Sequence, residues 1–305
     1  MGTTVLRHDL MLYDSDEQYT ERVAAYFEAG LDSGELLVAV PGPDTEPLLR
    51  TALGATSKRV SLHVGEDWYT RPEAAVAAYD ATVRAALRDG AAGLRVVAEL
   101  PICSSREEWD AWIRYEAVIN VALAGRPVSV MCTCDSRVVP EHVVEGVCRT
   151  HPHVVSDSRR ENAAYRDPEE VLRAIPPPPE PLPELHEIPV NADPRTLRRE
   201  LSRELASAHV DADAADGMIL AVNEVVANAV RHANGVSSLR VGAGERTFVC
   251  QISDAGNGFD DPLAGYVPPS APAGNGGGLW VARQLTRRVD LAPSPFGGLT
   301  VTLWT

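Results

Sequence analysis

A run of prolines divides the chain and limits what it can fold into. Residues 175–183 read IPPPPEPLP, and six of the nine are proline. Proline has no backbone N–H and a fixed φ, so this segment is excluded from helices and from central strands. Such a run forms an extended, semi-rigid spacer. We therefore expect two globular units, residues 1–174 and 184–305.

Before the spacer, short apolar runs alternate with longer helical patterns. The runs ELLVAV (35–40), RVSLHV (59–64), GLRVVAEL (93–100) and PVSVMC (127–132) are typical of buried strands. Helical patterns cover residues 16–30, 44–54, 71–89, 106–124 and 139–149. The alternation predicts an α/β unit whose parallel sheet is covered by helices on both faces.

After the spacer, strands and helices come in unequal runs. The pattern predicts strands over residues 186–190, 237–243, 246–253, 288–292 and 298–304, and helices over 194–209, 212–233 and 276–288. This order predicts an α+β sandwich with helices on one face of a mixed sheet. The long segment 254–275, which contains Asp260, Asp261 and a run rich in proline and glycine, is expected to be a mobile lid.

One predicted helix carries an unusual polar stripe. In NEVVANAVRHA (223–233), Glu224, Asn228 and His232 recur every four residues and therefore share one face. An asparagine within an apolar helical stretch lowers helix propensity and competes with the backbone for hydrogen bonds. We therefore expect Asn228 to bind a polar ligand.

Two downstream blocks have the features of a nucleotide site. In ISDAGNGF (252–259) a strand leads to Asp254, which can accept a hydrogen bond from an amine, and the glycines Gly256 and Gly258 let a flat base approach. The block GNGGGL (274–279) precedes an apolar helix. Glycines before a helix N-terminus expose N–H groups that suit phosphate oxygens.

These three blocks resemble the N, G1 and G2 boxes of the GHKL ATP-binding fold, also called the Bergerat fold. The short domain over residues 184–305 is most similar to the anti-sigma-factor serine/threonine kinases. The resemblance implies ATP and Mg²⁺ as cofactors, with Asn228 as the magnesium ligand, Asp254 as acceptor for the adenine amine and Glu224 as the general base. It assigns nucleotide contacts to Gly256, Gly258, Gly274, Gly276, Gly277, Gly278 and Leu279. Arg231 and His232 would contact phosphates or the partner, although structural packing explains them equally well.

The first unit resembles the MEDS sensory domain, a degenerate relative of the RecA/KaiC fold, over about residues 1–170. The resemblance rests on RHDLMLYDSDEQY, the GLDSGE turn, RVVAELP, YEAVIN, MCTCD and RTHPHVV. It implies that this unit senses a small molecule whose identity the sequence does not give. A pocket at the carboxyl edge of the sheet would use polar residues at strand ends or turns, namely His8, Tyr13, Glu99, Asp135 and His151. For each of these, a structural role as a turn or cap partner is the competing interpretation.

The leading functional expectation is a protein serine/threonine kinase that phosphorylates a STAS-domain anti-sigma antagonist. A sigma factor would be the protein sequestered, and the sensory unit would control the switch. A second interpretation is an ATP-gated module that sequesters a partner without transferring phosphate. A sensor histidine kinase is less well supported, because His186 lies between Pro183 and Pro189 instead of on a long dimerisation helix. The family commonly forms dimers, but no heptad pattern here establishes a homodimer.

Charge and hydropathy exclude other classes of function. The net charge of −15 argues against a nucleic-acid surface, which needs clustered basic residues. The sequence has neither a long apolar run nor an export signal, so we expect a cytoplasmic protein with no membrane contact. Lys58 is the only lysine and follows no glycine loop, which excludes a Walker-type phosphate site.

The five cysteines are expected to be reduced thiols. Cys132 and Cys134 lie two apart on a predicted strand, so they share a face and cannot easily pair. A zinc site can be drawn with His142, His151 and His153. The spacing fits no established ligand pattern, so buried thiols are the favoured interpretation.

Overall fold

Two compact units make up the chain. The structure, a computed structural model, describes residues 6–63, 71–190, 193–258, 260–267, 269 and 277–305. The chain divides into Met1–Pro178 and Pro179–Thr305, so the division falls inside the proline-rich spacer. Residues 175–183 contain neither helix nor strand.

The first unit is built on a mainly parallel sheet. Its strands are β1 (Arg7–Tyr13), β2 (Leu36–Val40), β3 (Val60–Leu62), β4 (Leu94–Glu99), β5 (Val128–Asp135), β6 (His153–Val155) and β7 (Arg159–Glu161). Its helices are α1 (Asp16–Asp32), α2 (Glu46–Leu53), α3 (Pro72–Arg88), α4 (Arg106–Ala122), α5 (Glu141–Thr150) and α6 (Pro168–Ala174), with a 3-10 helix at Gly54–Arg59. Among the described residues the strand order is β3-β2-β4-β5-β1-β6-β7, and β7 pairs antiparallel with β6.

Helices cover both faces of this sheet, as the sequence predicted. On β1, Met11 belongs to a core shared with α1 and α2, which includes Phe27 and Leu49. Its neighbour Leu10 belongs to a second core, with Trp109 of α4 and Val147 of α5. Successive side chains of a strand point to opposite faces, so this alternation follows from the strand geometry. The predicted α/β fold is confirmed.

The second unit is built on an antiparallel sheet. Its strands are β8 (His186–Glu187), β9 (Val236–Ala243), β10 (Phe248–Asp254), β11 (Arg288–Pro293) and β12 (Leu299–Trp304). Its helices are α7 (Pro194–Ser207), α8 (Ala212–His232) and α9 (Gly278–Leu285). The strand order over the described part of this unit is β11-β12-β10-β9-β8, with every pairing antiparallel.

Two sequence predictions for this sheet were wrong. The sheet is antiparallel instead of mixed, because short turns join β9 to β10 and β11 to β12 and make each pair antiparallel. Strand β8 is also shorter than the predicted 186–190. It ends two residues before Pro189, which has no N–H to donate to a neighbouring strand.

A single core joins the helices of the second unit to its sheet. Leu201 of α7, Met218 and Val222 of α8, and Phe248 and Leu303 of the sheet all belong to this buried cluster. The helices therefore share one face of the sheet, and α8 is held along its length against β10 and β12. Among the described residues, no helix combines the length and the apolar character that crossing a bilayer requires.

A close backbone approach in the first unit gives a test of the fold. A Cβ at Gly93 would lie 2.6 Å from the backbone oxygen of Pro127, which already accepts the N–H of Leu94. Replacing Gly93 by alanine should therefore displace the start of β4 and lower the free energy of unfolding by about 1–3 kcal/mol. The midpoint of urea-induced unfolding of the first unit measures this change.

Gly125 provides the matched control. A Cβ there would meet nothing within 4 Å, and its φ is not positive. Gly125→Ala should leave the midpoint unchanged or raise it slightly. Equal midpoints for the two variants would contradict the close approach at Gly93.

Candidate functional site

A cavity in the second unit lies between α8, the end of β10 and the start of α9. Its volume is about 380 Å³, within the range typical of small-molecule sites. Val225, Ala229, Ala233, Leu299 and Val301 form its apolar wall. Its polar and glycine lining comprises Asn228, His232, Asp254, Gly256, Asn257, Gly258, Asp261 and Gly265, with Ala264 and Leu279 beside them.

Helix α8 brings the polar stripe to this cavity. The helix begins after Asp211, whose carboxylate accepts hydrogen bonds from the N–H groups of Asp213 and Ala214. Buried apolar residues hold its other face on the sheet. Asn228 and His232 line the cavity, whereas Glu224, one turn earlier, is half-buried and is not among the lining residues. Arg231 is exposed, and its guanidinium donates to the backbone oxygen of Ala227.

Asn228 lies against the start of α9. A Cβ added at Gly278 would overlap the amide nitrogen of Asn228, so another residue there would push the Asn228 side chain away. Within the described part of the chain, the Asn228 amide makes no hydrogen bond. Its oxygen and nitrogen are therefore available to a ligand in the cavity.

Asp254 ties the end of β10 to the start of β12. Its Oδ1 accepts the N–H of Gly256 at 2.9 Å and the N–H of Leu299 at 3.0 Å. A Cβ at Gly298 would overlap this same oxygen, so glycine is required there. No described residue donates to Oδ2, which leaves that oxygen as an acceptor on the cavity wall.

The glycine block is only partly described. Gly277 caps the N-terminus of α9 without a side-chain hydrogen bond, and Gly278 is its first residue. The first-turn N–H groups are therefore not satisfied by a capping side chain, which is the arrangement that favours phosphate oxygens. Gly274 and Gly276 lie outside the described residues, as does much of the predicted lid, so those predictions stay predictions.

The sequence analysis missed an arginine that holds one side of the cavity. Arg283 of α9 is buried, and its Nε donates to the backbone oxygen of Ala264 at 3.0 Å. Its guanidinium also lies 3.9 Å from the centre of the Tyr266 ring. These contacts fix the turn that contains Gly265, where a Cβ would lie 2.8 Å from the backbone of Leu279. The sequence does place an arginine shortly after the glycine block GNGGGL. Its position in the sequence does not show, however, that it contacts the turn around Gly265.

These residues fit a magnesium–nucleotide complex. The apolar wall suits the faces of a purine, and Asp254 Oδ2 suits its amino group. The helix N-terminus suits phosphates, and the amide oxygen of Asn228 is a hard ligand of the kind Mg²⁺ takes together with phosphates and water.

In the first unit, three of the five predicted sensory residues line one small cavity. Its volume is about 20 Å³, and Glu99, Asp135 and His151 are among its lining residues. Tyr13 is fully buried instead, and its ring centre lies 5.0 Å from that of Tyr19, with the two rings tilted by 51°. His8 is also buried, and its ring centre lies 4.1 Å from that of His151.

Both carboxylates among the five predicted residues have hydrogen-bond partners within the domain. Asp135 binds the guanidinium of Arg137 through both oxygens, and these hydrogen bonds lower the pKa of Asp135. Glu99 accepts the N–H of Gly42 at 3.0 Å and a short hydrogen bond from the hydroxyl of Thr45. Burial raises the pKa of Glu99, despite these hydrogen bonds. Its carboxyl group thus accepts hydrogen bonds from two donors of the loop after β2.

Comparison with known families agrees with this division. Residues 7–152 match the family model of the MEthanogen/methylotroph, DcmR Sensory domain, abbreviated MEDS. Residues 190–304 match the model of the histidine kinase-like ATPase domain. No curated protein matches the chain. The chain thus consists of a MEDS sensory domain followed by a histidine kinase-like ATPase domain of the GHKL type, which together indicate an ATP-dependent signalling regulator.

Proposed function

We propose that the second domain binds Mg²⁺–ATP in the 380 Å³ cavity and phosphorylates a serine or threonine of a STAS-type anti-sigma antagonist. The observation that carries this proposal is the convergence of Asn228, Asp254 and the N-terminus of α9 on one cavity. A sigma factor is the protein released or sequestered as a result. The MEDS domain controls the reaction in response to a small-molecule signal.

The base is bound by shape and by one carboxylate oxygen. Val225 and Ala229 of α8 and Val301 of β12 supply the apolar surface for the ring. Oδ2 of Asp254 accepts a hydrogen bond from the 6-amino group of adenine, while Oδ1 keeps its two backbone donors. Guanine carries a carbonyl at that position and would face the carboxylate with a second acceptor.

The phosphates are bound without a lysine. The only lysine of the chain, Lys58, belongs to the other domain. The N–H groups at the start of α9 and the amide of Asn228 therefore contact the phosphates and their ion. Mg²⁺ held there would neutralise charge that develops on the transferred phosphoryl group.

Glu224 serves as the general base in this proposal. It takes the proton of the incoming hydroxyl as the new oxygen–phosphorus bond forms and the bond to the ADP oxygen breaks. Its place one turn before Asn228 supports this role, since both side chains project from one face of α8.

Asp254→Asn tests recognition of the base. The amide oxygen can still accept both backbone N–H groups, so the fold should be kept, but an NH₂ group then faces the adenine amine. We expect ATP affinity to fall about 10–100-fold, since two donors would be left opposed. Isothermal titration with a non-hydrolysable ATP analogue measures this change. A variant that binds the analogue as tightly as the original protein would contradict the assignment.

Asn228→Ala tests the magnesium ligand. We expect the gain in nucleotide affinity that Mg²⁺ provides to shrink at least about tenfold, because the only amide oxygen that α8 offers to the cavity is removed. Titrations with Mg²⁺ and with EDTA separate this effect from a general loss of binding. Asn223→Ala is the control, because Asn223 lies on α8 but does not line the cavity. Equal effects of the two substitutions would refute the role of Asn228.

Glu224→Gln tests the chemical step. Phosphate transfer from γ-labelled ATP to a candidate STAS protein should fall about 10²–10⁴-fold, because the base is lost, while nucleotide affinity stays unchanged. Undiminished labelling by this variant would exclude Glu224 as the base.

A partner-sequestering module without transfer is the second candidate. The observation in its favour is that Glu224, the proposed base, does not line the cavity. A module that only binds ATP does not need a base. ATP-dependent co-elution with the STAS protein, without any labelling of it, would identify this function. A histidine-kinase-type sensor has less support: His186 lies on β8, paired with β9, and binds Glu204, and residues 175–190 contain no helix.

A further inference from the structure

Four buried side chains with metal-binding atoms meet inside the MEDS domain. They are His8 of β1, Glu116 of α4, Cys132 of β5 and His151, which directly follows α5. Their exposed fractions are 2%, 2%, 7% and 0%. One ligand atom from each lies within 4.8 Å of all the others. The nucleotide site does not use any of them.

The distances between these atoms are close to those of a tetrahedral site. Glu116 Oε2 lies 3.0 Å from His8 Nε2, 3.3 Å from His151 Nε2 and 3.4 Å from Cys132 Sγ. Cys132 Sγ lies 3.4 Å from His8 Nε2. A tetrahedral zinc ion with ordinary bond lengths separates its ligand atoms by about 3.3–3.6 Å. These four pairs therefore lie within a few tenths of an ångström of tetrahedral spacing, and the two remaining pairs, His151 with His8 and His151 with Cys132, lie within 4.8 Å.

The outer hydrogen bonds orient both imidazoles for metal binding. Nδ1 of His151 lies 2.7 Å from the backbone oxygen of Val147, which can only accept, so this nitrogen carries a proton. Nδ1 of His8 lies 3.1 Å from Oδ1 of Asn120. The Asn120 amide is held in this orientation because its Nδ2 donates to the backbone oxygen of Thr150 at 2.7 Å. Metal-binding histidines are commonly fixed in this way through the other ring nitrogen.

The resulting arrangement leaves acceptors facing one another. With Nδ1 protonated on both rings, the neutral imidazoles direct the lone pairs of Nε2 toward the Glu116 carboxylate. Nε2 of His151 is buried and makes no hydrogen bond in the described structure, although it lies 3.3 Å from Glu116. Buried polar atoms rarely lack a hydrogen-bond partner, so a proton or a cation is needed between the imidazole nitrogens and the Glu116 carboxylate.

We propose that the MEDS domain binds one divalent transition-metal ion of the zinc class through His8, Glu116, Cys132 and His151. Imidazole, thiolate and carboxylate are the ligands that zinc takes in proteins. A thiolate and a carboxylate together neutralise the two charges of the ion, which reduces the cost of burying it. The 20 Å³ cavity touches Glu116, Cys132 and His151, so the site has space for about one water-sized ligand beside the ion.

The alternative for this cluster is a metal-free ion pair. A second proton on one imidazole would pair with Glu116, and the thiol of Cys132 would donate to the same carboxylate. Metal content separates the two. The untagged full chain, purified without chelators, should contain about one zinc ion by mass spectrometry. Less than a tenth of an equivalent, together with no Co²⁺ uptake by the chelator-treated chain, would overturn the proposal.

Cobalt substitution identifies the ligands without any activity assay. The Co²⁺-loaded chain should show the near-ultraviolet band of a cobalt–thiolate bond and the intense visible bands of a tetrahedral ion. Cys132→Ser should remove the near-ultraviolet band and weaken Co²⁺ binding more than tenfold.

Cys134→Ser is the matched control for this measurement. Cys134 is buried two residues further along β5 and lines the same cavity, but it does not belong to the cluster. This variant should keep the band and the affinity. Loss of the band in Cys134→Ser and its retention in Cys132→Ser would overturn the assignment. Because the cobalt spectrum of the unaltered chain reports thiolate ligation by itself, misfolding of a variant does not remove the test.

Discussion

Asp254 accepts two backbone N–H groups through one carboxylate oxygen, and the geometry of the cavity in the ATPase domain depends on that interaction. The two donors, Gly256 and Leu299, belong to segments more than forty positions apart, so the carboxylate joins the end of β10 to the start of β12. Gly298 makes this possible, because a side chain there would occupy the position of the carboxylate oxygen. With Oδ1 engaged, Oδ2 is presented to the cavity at a fixed place. One oxygen of Asp254 therefore holds the backbone, and the other is left to accept a hydrogen bond from a ligand.

The opposite side of the cavity depends on a second close approach. Gly278 lets α9 begin against the amide of Asn228, so the helix N-terminus and the expected metal ligand lie side by side. Arg283, further along α9, holds the turn around Gly265 by its contacts with Ala264 and Tyr266. Glycines permit both approaches, and the buried arginine fixes the one at Gly265. Both are needed, because a glycine alone does not select one conformation.

The sequence predicted those features of the structure that depend on local patterns. Helices α7 and α8 lie within two residues of their predicted bounds, and the motif residues Asn228 and Asp254 do line one cavity. Strand β1 was not predicted, although it lies inside its sheet, between β5 and β6. It carries His8 and Asp9, both buried, and these polar residues hide the apolar pattern of a central strand. The short elements β6, β7 and α6 were also missed.

Missing β1 explains why the metal-ligand cluster was not found. The zinc site considered from the sequence combined Cys132 and Cys134 with three histidines nearby in the chain. In the structure only Cys132 and His151 of that set belong to the cluster found in the described chain, and none of the five cysteines forms a disulfide. Its other members, His8 and Glu116, come from distant elements. A site built from four separate elements has no fixed spacing, so no sequence motif reveals it.

The position of Glu224 bears on how a kinase of this kind would avoid hydrolysing ATP in the absence of its partner protein. Glu224 and Asn228 are four positions apart on the helix, a rise of about 6 Å along the axis. Asn228 lines the cavity and Glu224 does not, so under the proposed function the nucleotide and the base would occupy neighbouring but distinct places. A hydroxyl brought by a docked protein can lie between them and contact both. Water has no such fixed position, and positioning accounts for most of the catalysis in phosphoryl transfer. Under the proposed function, this separation makes transfer depend on the partner protein, because the partner completes the site with its own hydroxyl.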